Sequence, residues 1–206
     1  MKATIIFALL FSLLLSACFV EERNIGPNTD YYSSSSQDSY NSSSSHVIDV
    51  LLDSISYQEQ SYKVVKMGSQ TWIAQNLNAI PKSGNYWCYG RINEYCTEFG
   101  KLYDWEAAMN ICPDGWKLPS KDEFDYLLDY EDVLKATSVW HALLGGLKYD
   151  EEDRGFDFMK VEGYWWSSTA SGNFAYYYTI KSSGTKLYRY SGGNKARGYS
   201  VRCIKK

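Results

Sequence analysis

The chain has 206 residues and a formal net charge of −3 at pH 7, and its length fits one domain of ordinary size with additional segments. Lysine and arginine are scattered except for Lys205 and Lys206, and the absence of a basic excess argues against a nucleic-acid partner. Aromatic residues make up 17% of the chain, with 19 Tyr and 7 Trp. One small core needs fewer, so we expect some at the surface, where they can contact sugars or protein partners.

The N-terminus has the pattern of a bacterial lipoprotein signal peptide. Lys2 supplies a positive start, and residues 5–15 are apolar except for Ser12. This run is too short to cross a bilayer as a mature helix but has the length of a signal-peptide core. Residues 1–17 are therefore predicted to be removed, and Cys18 to carry a diacylglycerol. We expect a lipid anchor in the outer membrane, facing the cell surface or the periplasm. The alternative is an ordinary signal peptide that carries a cysteine by chance.

A serine-rich tether is predicted to follow the anchor. Nine of the thirteen residues from 33 to 45 are serine, and such a segment has too little apolar surface to offset its ordering entropy. We therefore expect residues 18–46 to be a disordered tether and residues 47–206 to be a globular domain.

Four further cysteines suggest two disulfides. An even number of cysteines in an exported chain is typical of a disulfide framework, and four allow three pairings. Cys88 and Cys96 are close in sequence, which favours a local link and leaves Cys112 with Cys203. A zinc site is the competing interpretation, but no Cys-x-x-Cys pair occurs and both histidines lie far from these cysteines in the sequence.

The first part of the domain is predicted to contain short strands and a loop. Residues 46–55 form an apolar island that fits either a helix or a strand. Residues 62–67 and 70–73 have strand character, with a Gly-Ser turn between them. Residues 80–100 carry Pro, Gly and Asn and are expected to be a loop.

Helices are predicted next, followed by strands. Apolar residues recur at helical spacing from Leu102 to Met109, and Ser120 with Glu123 forms a capping box. After the Gly-Gly pair at 145–146 the pattern changes to short strands at residues 163–169, 174–180, 185–190 and 199–204. This order predicts an α+β fold in which two short helices pack on a twisted, mostly antiparallel sheet.

No catalytic constellation is evident in the sequence. His46 lies at the end of the tether, and His141 follows a tryptophan in a Leu-rich stretch typical of a structural histidine. There is no Gly-x-Ser-x-Gly elbow and no phosphate loop, and pairing of the four cysteines leaves no thiol nucleophile. We therefore expect a non-enzymatic protein without a cofactor.

One acidic segment is a candidate calcium site. The run from Asp150 to Asp153 supplies four carboxylates, which are the hard oxygen ligands that Ca²⁺ prefers. However, successive side chains point in different directions, and the spacing does not match an EF-hand. A solvated acidic loop is the preferred interpretation, and no metal site is assigned.

Aromatic residues of the C-terminal strands are the candidate ligand contacts. Trp165 and Trp166 are adjacent, so a regular strand turns them to opposite faces and one of them is expected at the surface. The tyrosines occur in pairs two residues apart, and each pair shares one face of its strand. Packing beneath a loop is the preferred interpretation for each residue, and contact with a sugar ring is the alternative. The candidate set is Trp165, Trp166, Tyr176, Tyr178, Tyr188 and Tyr190.

Five sequence blocks carry a family resemblance. They are Met67–Asn78 (MGSQTWIAQNLN), Gly100–Met109 (GKLYDWEAAM), Cys112–Ser120 (CPDGWKLPS), Gly163–Thr169 (GYWWSST) and Ser200–Ile204 (SVRCI). In order and spacing they closely resemble the Fibrobacter succinogenes major paralogous domain, over roughly residues 57 to 206. The chain departs from the family pattern after Phe156, where it lacks the proline-containing segment that usually precedes the Trp-Ser-Ser strand.

The resemblance implies a fold and a cellular setting. Members of the family are typically secreted or lipid-anchored bacterial proteins without an assigned activity. The family in turn looks like a distant relative of C-type-lectin-like and formylglycine-generating-enzyme-like folds. In those folds a cysteine near a helix end pairs with one on the last strand, as Cys112 and Cys203 would here. The resemblance therefore implies a C-type-lectin-like domain.

These observations predict a non-enzymatic binding domain at the bacterial envelope, with a polysaccharide or an envelope protein as its ligand. The alternatives are a structural coat lipoprotein without a specific ligand and an enzyme related to the formylglycine-generating fold, whose chemistry needs free cysteines.

Overall fold

The computed structural model describes residues 53–128 and 142–206. The predicted signal peptide, Cys18, the tether, His46 and His141 lie outside these residues. Within them, no helix is both long enough and apolar enough to cross a membrane.

Short strands dominate the described part of the chain. In chain order they are β1 (Asp53–Tyr57), β2 (Gln60–Met67), β3 (Gln70–Ile73), β4 (Tyr86–Trp87), β5 (Leu102–Tyr103), β6 (Trp116–Lys117), β7 (Gly145–Lys148), β8 (Phe156–Met159), β9 (Glu162–Ser171), β10 (Phe174–Lys181), β11 (Tyr188–Asn194) and β12 (Ile204–Lys205). The α-helices are α1 (Asn93–Phe99), α2 (Trp105–Asn110) and α3 (Lys121–Leu128).

The strands form two five-stranded sheets and one small ribbon. The first sheet has the order β1-β2-β3-β12-β6, and the second has the order β11-β10-β9-β7-β8. Strands β4 and β5 pair with each other. Neighbouring strands are antiparallel except for β7 and β9, which are parallel. The described fold is thus mostly β with a few short helices, which agrees with the α+β prediction at this coarse level.

The N-termini of the helices show which capping residues in the sequence predicted a helix start correctly. At α3 the capping box is present, because Ser120 N–H donates to Glu123 Oε2 at 2.8 Å and Glu123 N–H donates to Ser120 Oγ at 3.2 Å. Helix α2 begins at Trp105 rather than at Leu102, since Asp104 caps it by accepting the Ala107 N–H at 2.8 Å. Helix α1 lies where a loop was predicted.

Strand β9 is buried on both faces, and this corrects the prediction for its two tryptophans. Trp165 and Trp166 are both fully buried. They point to opposite sides of the sheet, as predicted, but a separate hydrophobic cluster covers each side. The Trp165 indole N–H donates to Asn76 Oδ1 at 2.8 Å, and the Trp166 indole N–H donates to the Tyr103 carbonyl at 2.7 Å. The expectation that one of the two is exposed was wrong because the sheet has no solvent-facing side at this strand.

The four cysteines of the domain form two disulfides. Cys88 is bonded to Cys96 across 8 residues, and Cys112 is bonded to Cys203 across 91 residues. The first link closes a small loop that includes most of α1. The second ties the segment after α2 to the residue that precedes β12, and so joins the middle of the domain to its end.

We expect loss of the long-range disulfide to destabilise the domain more than loss of the local one. In the chain-entropy model, the 91-residue link contributes about 4 to 5 kcal/mol to the free energy of unfolding and the 8-residue link about 2 to 3 kcal/mol. Urea unfolding of the Cys112→Ala/Cys203→Ala and Cys88→Ala/Cys96→Ala double variants measures the loss of unfolding free energy for each disulfide. Equal losses in the two variants would contradict this order.

Candidate functional site

A polar groove opens on the surface near the small β4–β5 ribbon. Its volume is about 330 Å³. The residues that line it come from the β4 region, the residue before α2, the end of β7 with the turn that follows, and the segment after β11. They are Asn85, Trp87, Arg91, Asp104, Lys148, Asp150, Glu152 and Ala196.

The local disulfide borders the segment that carries Trp87 and Arg91. Cys88 lies between them in sequence, and Arg91 N–H donates to the Cys88 carbonyl at 2.9 Å. Gly90 and Arg91 have φ values of 60° and 62°, which is uncommon for a residue with a side chain. Such strain persists only where the surroundings enforce it, and it often marks a functional site. The loop that the Cys88–Cys96 disulfide closes (the clipped loop) therefore holds the Arg91 backbone in an energetically unfavourable conformation at the edge of the groove.

Trp87 is packed on one side and carries a cation on its ring. A Cβ atom added at Gly198 would lie 3.0 Å from the Trp87 ring, so glycine at this position lets the backbone approach the ring closely. The Lys148 ammonium lies 4.7 Å from the centroid of the Trp87 ring and also donates to the Tyr149 carbonyl at 2.8 Å. Both side chains are therefore held in place without a ligand.

Asp104 fixes a second side of the groove. Besides capping α2, its carboxylate accepts the Asn85 N–H at 2.8 Å and the Asn85 side-chain amide at 2.7 Å. Asp104 is buried, so its oxygens are used mainly within the protein. The amide of Asn85 is oriented by this contact and lines the groove.

Asp150 lies in an ion pair rather than in a solvated loop. Its carboxylate accepts a hydrogen bond from Arg197 Nε at 2.8 Å and one from the Asn194 amide at 2.6 Å. The hydrogen bond from Arg197 lowers the pKa of the Asp150 carboxyl, against the opposing effect of partial burial. The prediction of a solvated acidic loop was wrong for this residue. Glu151 instead pairs with Arg154 at 3.1 Å on the exposed surface.

The described residues contain no group of three or more His, Cys, Asp or Glu side chains placed to hold a metal ion. Within the run from Asp150 to Asp153, the first two carboxylates are engaged by arginines.

A ladder of stacked tyrosines crosses the second sheet. The tyrosine ladder consists of Tyr164 on β9, Tyr177 on β10 and Tyr190 on β11. Ring centroids are 6.3 Å apart between the first two and 5.1 Å apart between the last two, with interplanar angles of 27° and 16°. Exposure increases along the ladder, from buried Tyr164 to Tyr190, which is 44% exposed. Tyr188 lies two residues before Tyr190 and is 42% exposed on the same face.

The ladder and the groove are joined by a chain of contacts. Tyr177 packs on Tyr199 with 5.0 Å between ring centroids. Arg197 lies beside the Tyr199 hydroxyl, which is buried and makes no well-aligned hydrogen bond, and Arg197 pairs with Asp150 at the groove. Burial raises the pKa of Tyr177 above its ordinary value, and its hydroxyl, like that of any neutral tyrosine, can donate a hydrogen bond.

The predicted aromatic contacts divide into buried and surface residues. Trp165, Trp166 and Tyr178 are fully buried and cannot touch a ligand in this conformation. The Tyr178 hydroxyl lies 2.7 Å from Asp125 Oδ1, and its ring stacks on Phe124. These three assignments as ligand contacts were wrong.

The other predicted aromatic contacts lie nearer to solvent. Tyr176 is partly buried at a break in the strand register between Ala175 and Tyr177. Tyr188 and Tyr190 are the two members of the set that reach the surface.

Sequence reasoning missed most of the groove. Trp87, Asn85 and Arg91 lie in a stretch that was predicted to be a loop. Asp104 was a detectable signal, because an Asp directly before a helical pattern is a preferred N-cap. The contact between Asp150 and Arg197, 47 residues apart, had no local signal.

A second, smaller cavity lies between β2 and α1, with a volume of about 210 Å³. Its polar groups are largely bonded to one another. The Asn78 N–H, for example, donates to the Tyr62 hydroxyl at 3.1 Å, and that hydroxyl donates to Gln60 Oε1 at 3.1 Å. We interpret this cavity as a structural polar network.

Comparison with known proteins relates part of the chain to a described family. Residues 65–139 match the sequence model of a family described as Fibrobacter succinogenes major domain, and this part of the chain is similar to that family. The match includes three of the sequence blocks described above. No curated protein and no solved structure matches the chain.

Replacement of Asp150 by Asn should remove a pH-dependent contribution to stability. Because the folded-state pKa is lowered, the contribution is present above the unfolded pKa and disappears as the pH falls through the folded pKa. At neutral pH we expect Asp150→Asn to reduce the free energy of unfolding by about 1 kcal/mol. The difference from the native chain should shrink below about pH 4. Urea unfolding across this range measures it, with the exposed neighbour variant Asp153→Asn as the control; a constant difference at all pH values would refute the assignment.

Proposed function

We propose that this protein is a lipid-anchored bacterial envelope protein whose domain binds a ligand in the groove without catalysing a reaction. The anchor is supported by the signal pattern that ends at Cys18 and by the serine-rich tether. Similarity to the Fibrobacter succinogenes major domain over residues 65–139 supports a place at the cell surface.

The observation that carries the binding role is that the groove is already organised. Asp104, Lys148 and Asp150 each hold their position through hydrogen bonds within the protein. A ligand that enters such a groove does not have to order these side chains, so less binding free energy is lost to entropy.

The chemistry of the groove supports binding rather than catalysis. The eight described lining residues include no histidine, cysteine, serine or threonine. They therefore supply no hydroxyl or thiol nucleophile and no imidazole base, and two of the three carboxylates, those of Asp104 and Asp150, are already bonded within the protein. The four cysteines of the domain are in disulfides, so they offer no thiolate for the oxidase chemistry of formylglycine-generating enzymes. No cofactor is needed for the proposed role.

Replacement of Cys18 tests the anchor. When the full chain is produced in a Gram-negative host, we expect the native protein to incorporate an alkyne-labelled fatty acid and to sediment with membranes. The Cys18→Ala variant should lose the label, because position 18 then has no thiol to accept the diacylglycerol. A Ser16→Ala variant, which keeps a small residue before the cysteine, is the matched control. Equal labelling of Cys18→Ala and the native chain would contradict lipidation at this residue.

A photo-crosslinker placed at the groove tests for binding even when the ligand is unidentified. Replacing Glu152, an exposed lining residue, by p-benzoylphenylalanine should give a crosslinked adduct on irradiation of cells that naturally produce the protein. The same substitution at Phe174, an exposed aromatic residue outside the groove, is the control. If position 152 gives no adduct, or no more than position 174, the groove is not a binding site and a coat role without a specific ligand takes its place.

A further inference from the structure

We infer that the ligand of the groove is an uncharged glycan chain that extends from the groove across the exposed end of the tyrosine ladder. This inference rests on the proposed function and names the ligand class. Three features carry it: the balance of charges in the groove, the size of the groove, and the open aromatic rings that a chain of contacts connects to it.

Acidic and basic side chains in and beside the groove are equal in number, three of each, so their charges balance. Asp150 is paired with Arg197, and Lys148 lies against the Trp87 ring. The remaining exposed charges, Arg91 and Glu152, have opposite signs. A charged ligand would therefore find little net attraction. A sugar hydroxyl donates one hydrogen bond and accepts others, so it can use carboxylate, amide and guanidinium groups together.

The size and polarity of the groove favour a glycan over a protein partner. A volume of about 330 Å³ lies near the lower end of the roughly 300 to 1,000 Å³ typical of small-ligand sites. It suits a short stretch of a chain rather than a protein surface. Five of the eight lining residues are charged, whereas the centres of protein–protein interfaces are depleted of charge.

The exposed rings at the end of the tyrosine ladder, which contacts through Tyr177 and Tyr199 connect to the groove, offer a surface for the apolar side of a sugar. One face of the Tyr190 ring stacks on Tyr177, while Tyr190 remains 44% exposed. The C–H groups of a sugar ring carry partial positive charge and pack favourably on the electron-rich face of an aromatic ring. Tyr188 provides a second exposed ring on the same face, so the surface has the repeated aromatic contacts that an extended chain can use.

Titration calorimetry with soluble oligosaccharides tests this inference on the full chain, purified in detergent with its disulfides intact. The uncharged probes are oligomers of glucose, xylose and mannose, and the acidic probe is an oligomer of galacturonic acid. At least one uncharged oligomer should bind, and should bind more tightly than the acidic one. Tyr190→Ala should weaken that binding by about three- to ten-fold through loss of the aromatic contact.

Phe174→Ala provides a matched control. Phe174 is 47% exposed, and its neighbour Ala175 faces the core, so Phe174 points to the opposite side of the sheet from the ladder. This variant should bind as the native chain does. The inference fails if no uncharged oligomer binds at millimolar concentration, if the acidic oligomer binds more tightly, or if both variants lose affinity equally. A protein adduct at position 152 together with failed glycan binding would leave the proposed function in place and overturn the ligand class alone.

Discussion

The two adjacent indole rings at the centre of β9 determine how the second sheet is placed in the domain. Trp165 faces one hydrophobic cluster and Trp166 faces the other, and each buries its N–H in a hydrogen bond. Unpaired, each of these N–H groups would cost about 1 to 3 kcal/mol. The hydrogen-bond acceptors, Asn76 Oδ1 and the Tyr103 carbonyl, must therefore stay in position, and they connect β9 to the segments on both sides of it.

Burial of β9 on both faces confines exposed aromatic residues of this sheet to its margins. Tyr164 is covered, and the same row of rings reaches solvent at Tyr190, on the edge strand β11. The groove is also peripheral, since it forms where the clipped loop and the turn after β7 meet the segment around Ala196. Because the core buries the centre of the sheet, its edges are the places where hydrogen-bonded polar side chains and exposed aromatic rings can lie on one surface.

Local patterns in the sequence predicted local structure well. They did not predict which side chains are buried by distant parts of the chain. The capping box at Ser120 acts within four residues, and the strand character predicted for residues 62–67 agrees with β2. The exposure of Trp165 could not be deduced in the same way, because alternation shows which face a side chain takes but not whether another layer covers that face. The groove was missed for a related reason: its lining residues extend from Asn85 to Ala196, and only the folded chain brings them together.

In the proposed function, Trp87 and its neighbours form a binding groove that is separate from the buried tryptophans. The indole N–H resonances of the ¹⁵N-labelled protein report on the groove tryptophan and on the buried tryptophans in one experiment. On titration with an uncharged oligosaccharide that binds, the Trp87 resonance should shift in proportion to occupancy. The Trp165 and Trp166 resonances should stay in place, because their N–H groups are held by Asn76 and Tyr103 inside the core. If the Trp87 resonance does not move while the protein is saturated, the ligand binds elsewhere and the account of this groove is wrong.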